Sequence, residues 1–492
     1  MNMFLLGLDF GSSSVKASLL EADSGTCITS AFYPHKEMEI IAHKPGWAEQ
    51  DPETWIENLY LAVDQIKTNY PKELSEVKAI GITYQMHGLV AIAKDGKPVR
   101  DSIIWCDSRA VNIGEKAFTS LGEKYCLQTL LNSPGNFTAS KLAWVKEFEP
   151  SLYQKISKIM LPGDYVAYRL TGEIQTTAPG LSEGIFWDYK SESISERVLG
   201  YFGFDTSIFP DIVPTFSHQG IILPEMAERM AISKNAVVAY RAGDQPNNAF
   251  SLKVLNPGEV AATGGTSGVI YGVSGKQNFD PRSRVNTFLH VNNMQSSPRL
   301  GILLCINSTG ILNSWMKREL MPPDISYNEM NDLAAGIPPG SEGLMVYPFG
   351  NGAERILENK NPGASILGLN LNLHTKKHLL RAMQEGIVFS MIYGLEIMQE
   401  MGMTPKVIRA GKTNMFLSKV FNSTFANLSK ARLELYNTDG SIGSARGAGL
   451  GVAYYKNIDE AFLNLKILET IEPEKNLLLE EAYFKWKNNI DY

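Results

Sequence analysis

Cysteine is scarce in this chain: Cys27, Cys106, Cys126 and Cys305 are the only four in 492 residues, and no two stand in C-x-x-C spacing. That scarcity argues against a disulfide framework or a cysteine-based zinc site, and fits reduced thiols in a cytoplasm. A dominant charge is also missing. The 46 Lys and Arg against 52 Asp and Glu leave a net charge of −6, which argues against a nucleic-acid surface, so a small anionic ligand must be met by local donors. The first apolar stretch has no basic flank and is interrupted at Asp9, so neither a signal peptide nor a membrane span is expected. What remains is globular in composition, 44% hydrophobic and 20% charged, and too long for one hydrophobic core. Two large domains or three average ones are expected, in a soluble cytoplasmic protein without nucleic-acid or membrane partners.

The opening MNMFLLGLDFGSSSVKASLL reads as a hairpin: strand Phe4 to Leu8, a tight turn from Asp9 to Ser14, and a returning strand Val15 to Leu20. Gly11, Ser12, Ser13 and Ser14 supply close backbone approach, N–H groups and hydroxyls suited to a phosphate, and Asp9 at the strand end suits a divalent cation beside it. The same residues are also ordinary turn formers, and the local pattern leaves both readings open.

Half a chain later GEVAATGGTSGVIYGVS repeats the element, with strand Val260 to Ala262, turn Thr263 to Gly268 and strand Val269 to Val273. Gly265 falls on Gly11, Ser267 on Ser13 and Val269 on Val15, each 254 residues on, while Thr263 replaces Asp9. Two further pairs follow in the same order. WIENLYLAVDQIKTNY precedes the strand VKAIGITYQMHG, as KKHLLRAMQEGIVFSMIYGLEIMQEMG precedes PKVIRAGKTNM. VVAYRAGDQPNNAFSLKV matches LELYNTDGSIGSARGAGLGVAYY, each an apolar strand running through an acidic Gly turn into a helix with a small-residue face. The pattern predicts two domains of one topology, mixed sheets flanked by helices, with the turns gathered in one cleft and a boundary near Leu252 to Pro257. Two familiar nucleotide motifs fail. A Walker motif ending at Gly411, Lys412 and Thr413 would need Gly where Lys406 stands, and Gly440 to Gly451 lacks G-x-G-x-x-G spacing and reads instead as a closely packed helix.

The stretches GLDFGSSSVKASLL, WAEQDPETW, YQMHG, IIWCDSR, TASKLAW, PGDYVAYRLTGE, AGDQ and TGGTSG, which follow one another in family order, resemble the FGGY family of carbohydrate kinases over nearly the whole chain. YQMHG followed by AGDQ is most similar to its xylulokinase members. The resemblance implies an α/β fold of two ribonuclease H-like, actin-type ATPase domains with the active site in the interdomain cleft. An N-terminal domain, 1–252, would bind the sugar and carry the base, and a C-terminal domain, 253–492, would bind the nucleotide. It implies phosphorylation of D-xylulose by ATP to D-xylulose 5-phosphate and ADP, with Mg2+ and a place in xylose metabolism. Asp9 becomes the magnesium-side carboxylate, acting through water. Gly11, Ser12, Ser13 and Ser14 in one half, and Gly264, Gly265, Thr266 and Ser267 in the other, become phosphate grips. Asp244 becomes the base, with Met86, His87, Asp244 and Gln245 on the sugar and Gly411, Lys412 and Asn414 on the nucleotide side. A homodimer is the oligomeric expectation. Another ketose, a pentitol or a sugar acid is the alternative substrate, and an actin- or chaperone-like ATPase the alternative class.

Local readings compete at several positions. Asp244 also suits a helix N-cap before QPNNAF; Met86 and His87 also suit a core. Trp105, Asp107 and Arg109 read equally as site residues or as a surface ion pair beside a packed Trp. Asp51 is expected to cap the helix that starts at Pro52. Two stretches depart from the family pattern: RAGKTNMF stands where relatives tend to carry a Gly-Gly-Gly-Ala turn, and Gln245 follows Asp244 where Asn is common.

Overall fold

A computed structural model describes residues 3–490. It divides into two compact units: the first holds the chain up to Lys253 with Phe288–Ser297 and Asp439–Leu465, and the second holds Val254–Thr287, Pro298–Thr438 and the chain from Lys466 onward. The units are therefore not two contiguous halves split near residue 252. Among the described residues no helix is long and apolar enough to cross a membrane.

In the first unit, β1 (Phe4–Phe10), β2 (Val15–Glu21) and β3 (Thr26–Tyr33) form an antiparallel meander. Helix α1 (Pro52–Asn69) leads to β4 (Val77–Tyr84), which pairs parallel with β1. Asp51 caps α1, its carboxylate accepting from the Glu53 N–H at 2.9 Å, with Pro at the first turn. A short helix α2 (Ala178–Glu183) comes before β5 (Val237–Gly243), which joins β4 in parallel and runs directly into α3 (Asp244–Ser251). The five strands lie in the order β5-β4-β1-β2-β3. Their apolar side chains, with Trp55 of α1 fully buried, make one core.

In the second unit β6 (Val260–Gly264) and β7 (Gly268–Ser274) form the second hairpin, with β8 (Asn286–Leu289) and β9 (Leu300–Ile306) beyond it. Helix α4 (Gly310–Leu320) and the 25-residue α5 (Lys376–Glu400) precede β10 (Val407–Gly411), β11 (Arg432–Tyr436) and β12 (Ile467–Ile471). The strand order is β8-β9-β7-β6-β10-β11-β12. Its five central strands repeat the first sheet: β9, β7 and β6 antiparallel, then β10 and β11 parallel to β6. The repeat expected from three short sequence pairs is thus present as sheet topology.

The Gly-rich run folds as helix α6 (Gly440–Gly451), and small residues explain why it lies with the first unit. A Cβ on Gly7 of β1 would collide with the Ser441 carbonyl oxygen, and one on Gly81 of β4 with that of Ser444. Only glycine at these strand positions lets helix backbone rest on the sheet. This close packing carries a C-terminal segment onto the N-terminal sheet, which no contiguous domain boundary anticipates.

Candidate active site

In the first unit the strand ends converge. The β1/β2 register sets Asp9 opposite Lys16, and the turn closes through Gly11 N–H donating to the Ser14 carbonyl at 3.1 Å. Gln50 and Met38 hold the turn from outside, donating to the carbonyls of Ser12 and Ser13 at 2.8 Å each, and Trp105 Nε1 donates to Ser12 Oγ at 3.3 Å. Helix α6 starts beside Asp9: a Cβ on Gly440 would lie 2.7 Å from Asp9 Oδ2. Just before it Asp439 caps α6 by accepting from Ile442 N–H at 3.0 Å and pairs with Lys16. Burial, then the charges of Asp244 and Asp439, push the Asp9 carboxyl up to about 7 against the pull of Lys16. Burial also opposes the charge on Asp439, but Lys16 and the helix-start donors hold it below the usual carboxylate range.

Asp244 is the first residue of α3, not its N-cap; Gly243 takes that place and no side chain caps the helix. The N-cap reading fails because β5 continues to Gly243 and the helix begins without an intervening residue. Its carboxyl is pushed up to about 6 by burial, against hydrogen bonds from the Gln245 side chain (Nε2 to Oδ2, 3.0 Å) and the helix-start backbone. Gln245 Oε1 is buried with no protein partner. A buried acceptor of this kind costs stability unless something donates to it.

Met86 packs against the end of the strand that leads into Asp244: a Cβ on Gly243 would sit 2.6 Å from Met86 Cγ. His87 follows with φ +62°, a left-handed backbone that is uncommon outside glycine and clusters at functional sites. Its ring packs edge-on to Phe137, centroids 4.8 Å apart, and at 5.3 Å from Phe288. Lys141 Nζ holds the His87 and Ile104 carbonyls at 2.9 Å each, and its own burial pulls its pKa down to about 8. Met86, His87, Asp244, Gln245, Asp9 and the first turn thus gather in one unit.

The Trp105, Asp107 and Arg109 group is not on the surface. Arg109 bonds Asp107 through two nitrogens, reaches Glu49 at 2.6 Å and lies 3.8 Å over the half-buried Trp47 ring, the three charged side chains being buried. The packed Trp is Trp47, and the cluster braces the loop beneath the first turn. A groove of about 890 Å³ elsewhere in this unit is lined by Trp47, Arg100, Tyr165 and Arg169 among others, but by none of the candidate site residues. Its arginines are already paired with Glu49, Glu149 and Glu53.

In the second unit the turn is shorter than the pattern predicts. Thr263 pairs with Val269 inside the ladder and Gly264 ends β6, where a Cβ would come within 3.0 Å of Met415 Cβ. Gly264 therefore belongs to the strand, leaving Gly265, Thr266 and Ser267 as the turn. The start of α4 docks on it, Gly310 N–H donating to the Gly265 carbonyl at 2.9 Å and Ile311 N–H to that of Thr266 at 3.2 Å. Asn414, at φ +50°, lies on the other side, its Nδ2 3.9 Å from a Cβ built on Gly265. Gly411 ends β10 against the Thr438 carbonyl. Lys412 is directed elsewhere, its Nζ paired with Glu469 at 2.9 Å.

Residues 4–251 match the N-terminal domain of the FGGY family of carbohydrate kinases. The chain belongs to this family. As an FGGY kinase it is an ATP-dependent sugar kinase of two-domain α/β fold. It is 30% identical to a xylulose kinase of Haemophilus influenzae, over 82% of this chain and 81% of that one. The ligand-bound xylulose kinase of Lactobacillus acidophilus shares the fold at 19% identity, with TM-score 0.86 over 99% of this chain and 96% of that one. A gluconate kinase from the same organism does so equally, at 19% identity and TM-score 0.86 over 100% and 96%. The FGGY fold therefore does not choose the sugar.

Several residues that lie beside these candidates escaped the sequence reading: Asp439, Gly440, Lys141, Glu183 and Phe288. Asp439 and Phe288 come from segments remote in the chain, and only the small-residue face of α6 hinted that such a segment would return.

Proposed function

We propose that this kinase transfers the γ-phosphoryl group of ATP to the O5 hydroxyl of D-xylulose, giving D-xylulose 5-phosphate and ADP. The observation that carries the reading is Asp244, a carboxylate raised to about 6 at the start of α3, with the buried, unpartnered Gln245 Oε1 beside it. Such a group is ionised at neutral pH yet more basic than an ordinary Asp, which suits a general base. As the new O5–P bond forms and the bond to the ADP oxygen breaks, Asp244 accepts the O5 proton. Gln245 Oε1 accepts from a sugar hydroxyl, Met86 meets the sugar's apolar face, and His87 meets a further hydroxyl. The donors of Gly11–Ser14 and Gly265–Ser267 hold phosphates, and Gly411 and Asn414 serve the nucleotide.

Asp9 fits Mg2+: its carboxylate is a hard oxygen donor at the end of a strand beside a phosphate-type turn. Among the described residues no cluster of three or more metal-ligating side chains occurs; Mg2+ commonly keeps water and substrate phosphates as ligands beside one or two carboxylates. When bound, Mg2+ supplies charge neutralisation on the transferring phosphate. The choice of xylulose is supported by the name of the Haemophilus influenzae relative, and a cytoplasmic setting by cysteines that are few and show no C-x-x-C spacing.

A panel of D-xylulose, other ketoses, pentitols and gluconate with MgATP, read as ADP release, tests the proposal. D-xylulose should give the highest kcat/KM. Preference for gluconate would overturn the substrate, and equal turnover without any sugar would overturn the kinase assignment to a sugar hydroxyl.

A further inference from the structure

Glu183, the last residue of α2, is a carboxyl that the reaction above does not use. It is 2% exposed. Its side chain and its backbone hold the same neighbour: Oε1 accepts from the His87 N–H at 3.3 Å, and its main-chain carbonyl accepts from the His87 ring Nδ1 at 3.0 Å. Its other oxygen, Oε2, faces the residue before Asp244, lying 2.6 Å from a Cβ built on Gly243. The helix that presents it is fixed at both ends. Thr177 Oγ1 accepts from Gly180 N–H at 3.1 Å, and Ser182 Oγ accepts from Leu289 N–H at 3.0 Å, next to Phe288 on the His87 ring.

We infer that Glu183 is a positioning residue of the sugar site, which fixes the left-handed backbone and the ring of His87 and packs the Gly243 end of β5 that presents Asp244. The inference rests on the reading of His87 as a sugar ligand. Three bonds converge on this one residue, from Glu183 Oε1, the Glu183 carbonyl and Lys141 Nζ, at a position whose φ of +62° needs support from its surroundings. Burial, and then Asp244 and Asp164, hold the Glu183 carboxyl well above the usual range despite the His87 N–H.

The test is steady-state kinetics with D-xylulose and ATP on the full chain, for wild type, Glu183→Ala, Glu183→Gln, His87→Ala and the Glu183→Ala/His87→Ala double variant, each with a thermal melt. Glu183→Ala should raise the sugar KM about tenfold and leave the ATP KM within about twofold. Glu183→Gln keeps an acceptor oxygen for the His87 N–H and should recover most of that loss. In the double variant the Glu183 effect should vanish, because a residue acting through His87 has nothing left to position. An unchanged sugar KM in Glu183→Ala, a Gln variant no better than Ala, or a full tenfold effect persisting on the His87→Ala background would each overturn the inference. If the Ala variant does not fold, Glu183→Met keeps the volume without the acceptor and takes its place; failure of both to fold would mean a purely structural role and also overturn it. A wild type that phosphorylates no sugar defeats the parent reading and this one with it. A sugar kinase in which His87→Ala raises the sugar KM and Glu183→Ala does not defeats this one alone.

Discussion

The two glycine-serine hairpins are the same module used differently. In the first, Asp9 stands opposite Lys16 one residue before the end of β1, and the start of α6 brings Asp439 and Gly440 alongside, so the hairpin end is set among interacting charges. In the second, the equivalent residue is Thr263 opposite Val269, and the start of α4 docks its N–H groups on the turn. A helix N-terminus thus meets the turn in both units, but only the first adds carboxylates. The comparison teaches that a duplicated turn keeps its glycine and hydroxyl residues while one strand residue, Asp9 or Thr263, decides whether a carboxylate accompanies them.

The largest expected effect falls on the unit with the carboxylates. Asp244→Asn keeps the size of the side chain and removes its basicity, so single-turnover phosphorylation should drop by roughly 10²–10⁴-fold with sugar and ATP affinities far less changed. Near-normal transfer in a folded variant would leave Asp244 without a catalytic role.

Asp9→Asn should come next, lowering turnover by roughly 10–100-fold, with part of the loss recovered at high Mg2+, while Thr263→Ala should leave the Mg2+ dependence unaltered. Identical Mg2+ titrations for the two variants would erase the difference between the hairpins. Without metal, Asp9→Asn should act on stability with the opposite sign. The folded-state pKa of Asp9 is raised from 3.8 to about 7, so the stability linked to its protonated form is present in acid and lost as pH rises through about 7. Thermal melts should show the variant above wild type at pH 8 and the two converging below pH 4.

Gly310→Ala gives the smallest effect and belongs to the second hairpin. Its new Cβ would meet the Gly265 carbonyl oxygen, displacing the turn, and the ATP KM should rise by roughly 5–10-fold with the sugar KM unchanged, in line with about 1 kcal/mol of overpacking. A rise in the sugar KM alone would contradict the assignment of this turn to the nucleotide.

Much of the fold was legible because it is written in local patterns. Both hairpins, the helix-strand pairs and the small-residue face of α6 follow from periodicity and turn residues, and the repeated sheet order follows from their pairing. The misread details are those that depend on tertiary neighbours. Gly264 reads as turn but is held in the strand beneath Met415, and the capping place that was one of two readings of Asp244 falls to Gly243. The surface ion pair that was one of two readings of the Arg109 cluster fails because Trp47 and Glu49, distant in sequence, enclose it. Asp439 and Glu183 carried no signal of a site at all, since each becomes one through a residue far along the chain, Lys16 for the first and His87 for the second.

The most direct test of the central claim is identification of the product. D-xylulose and MgATP are incubated with the enzyme and followed by phosphorus NMR with ADP measured in parallel. The account predicts one phosphate ester, at O5, formed in equal amount to ADP, and abolished together with ADP formation when the sugar is omitted. Inorganic phosphate in place of a sugar ester, at a rate indifferent to D-xylulose, would contradict it.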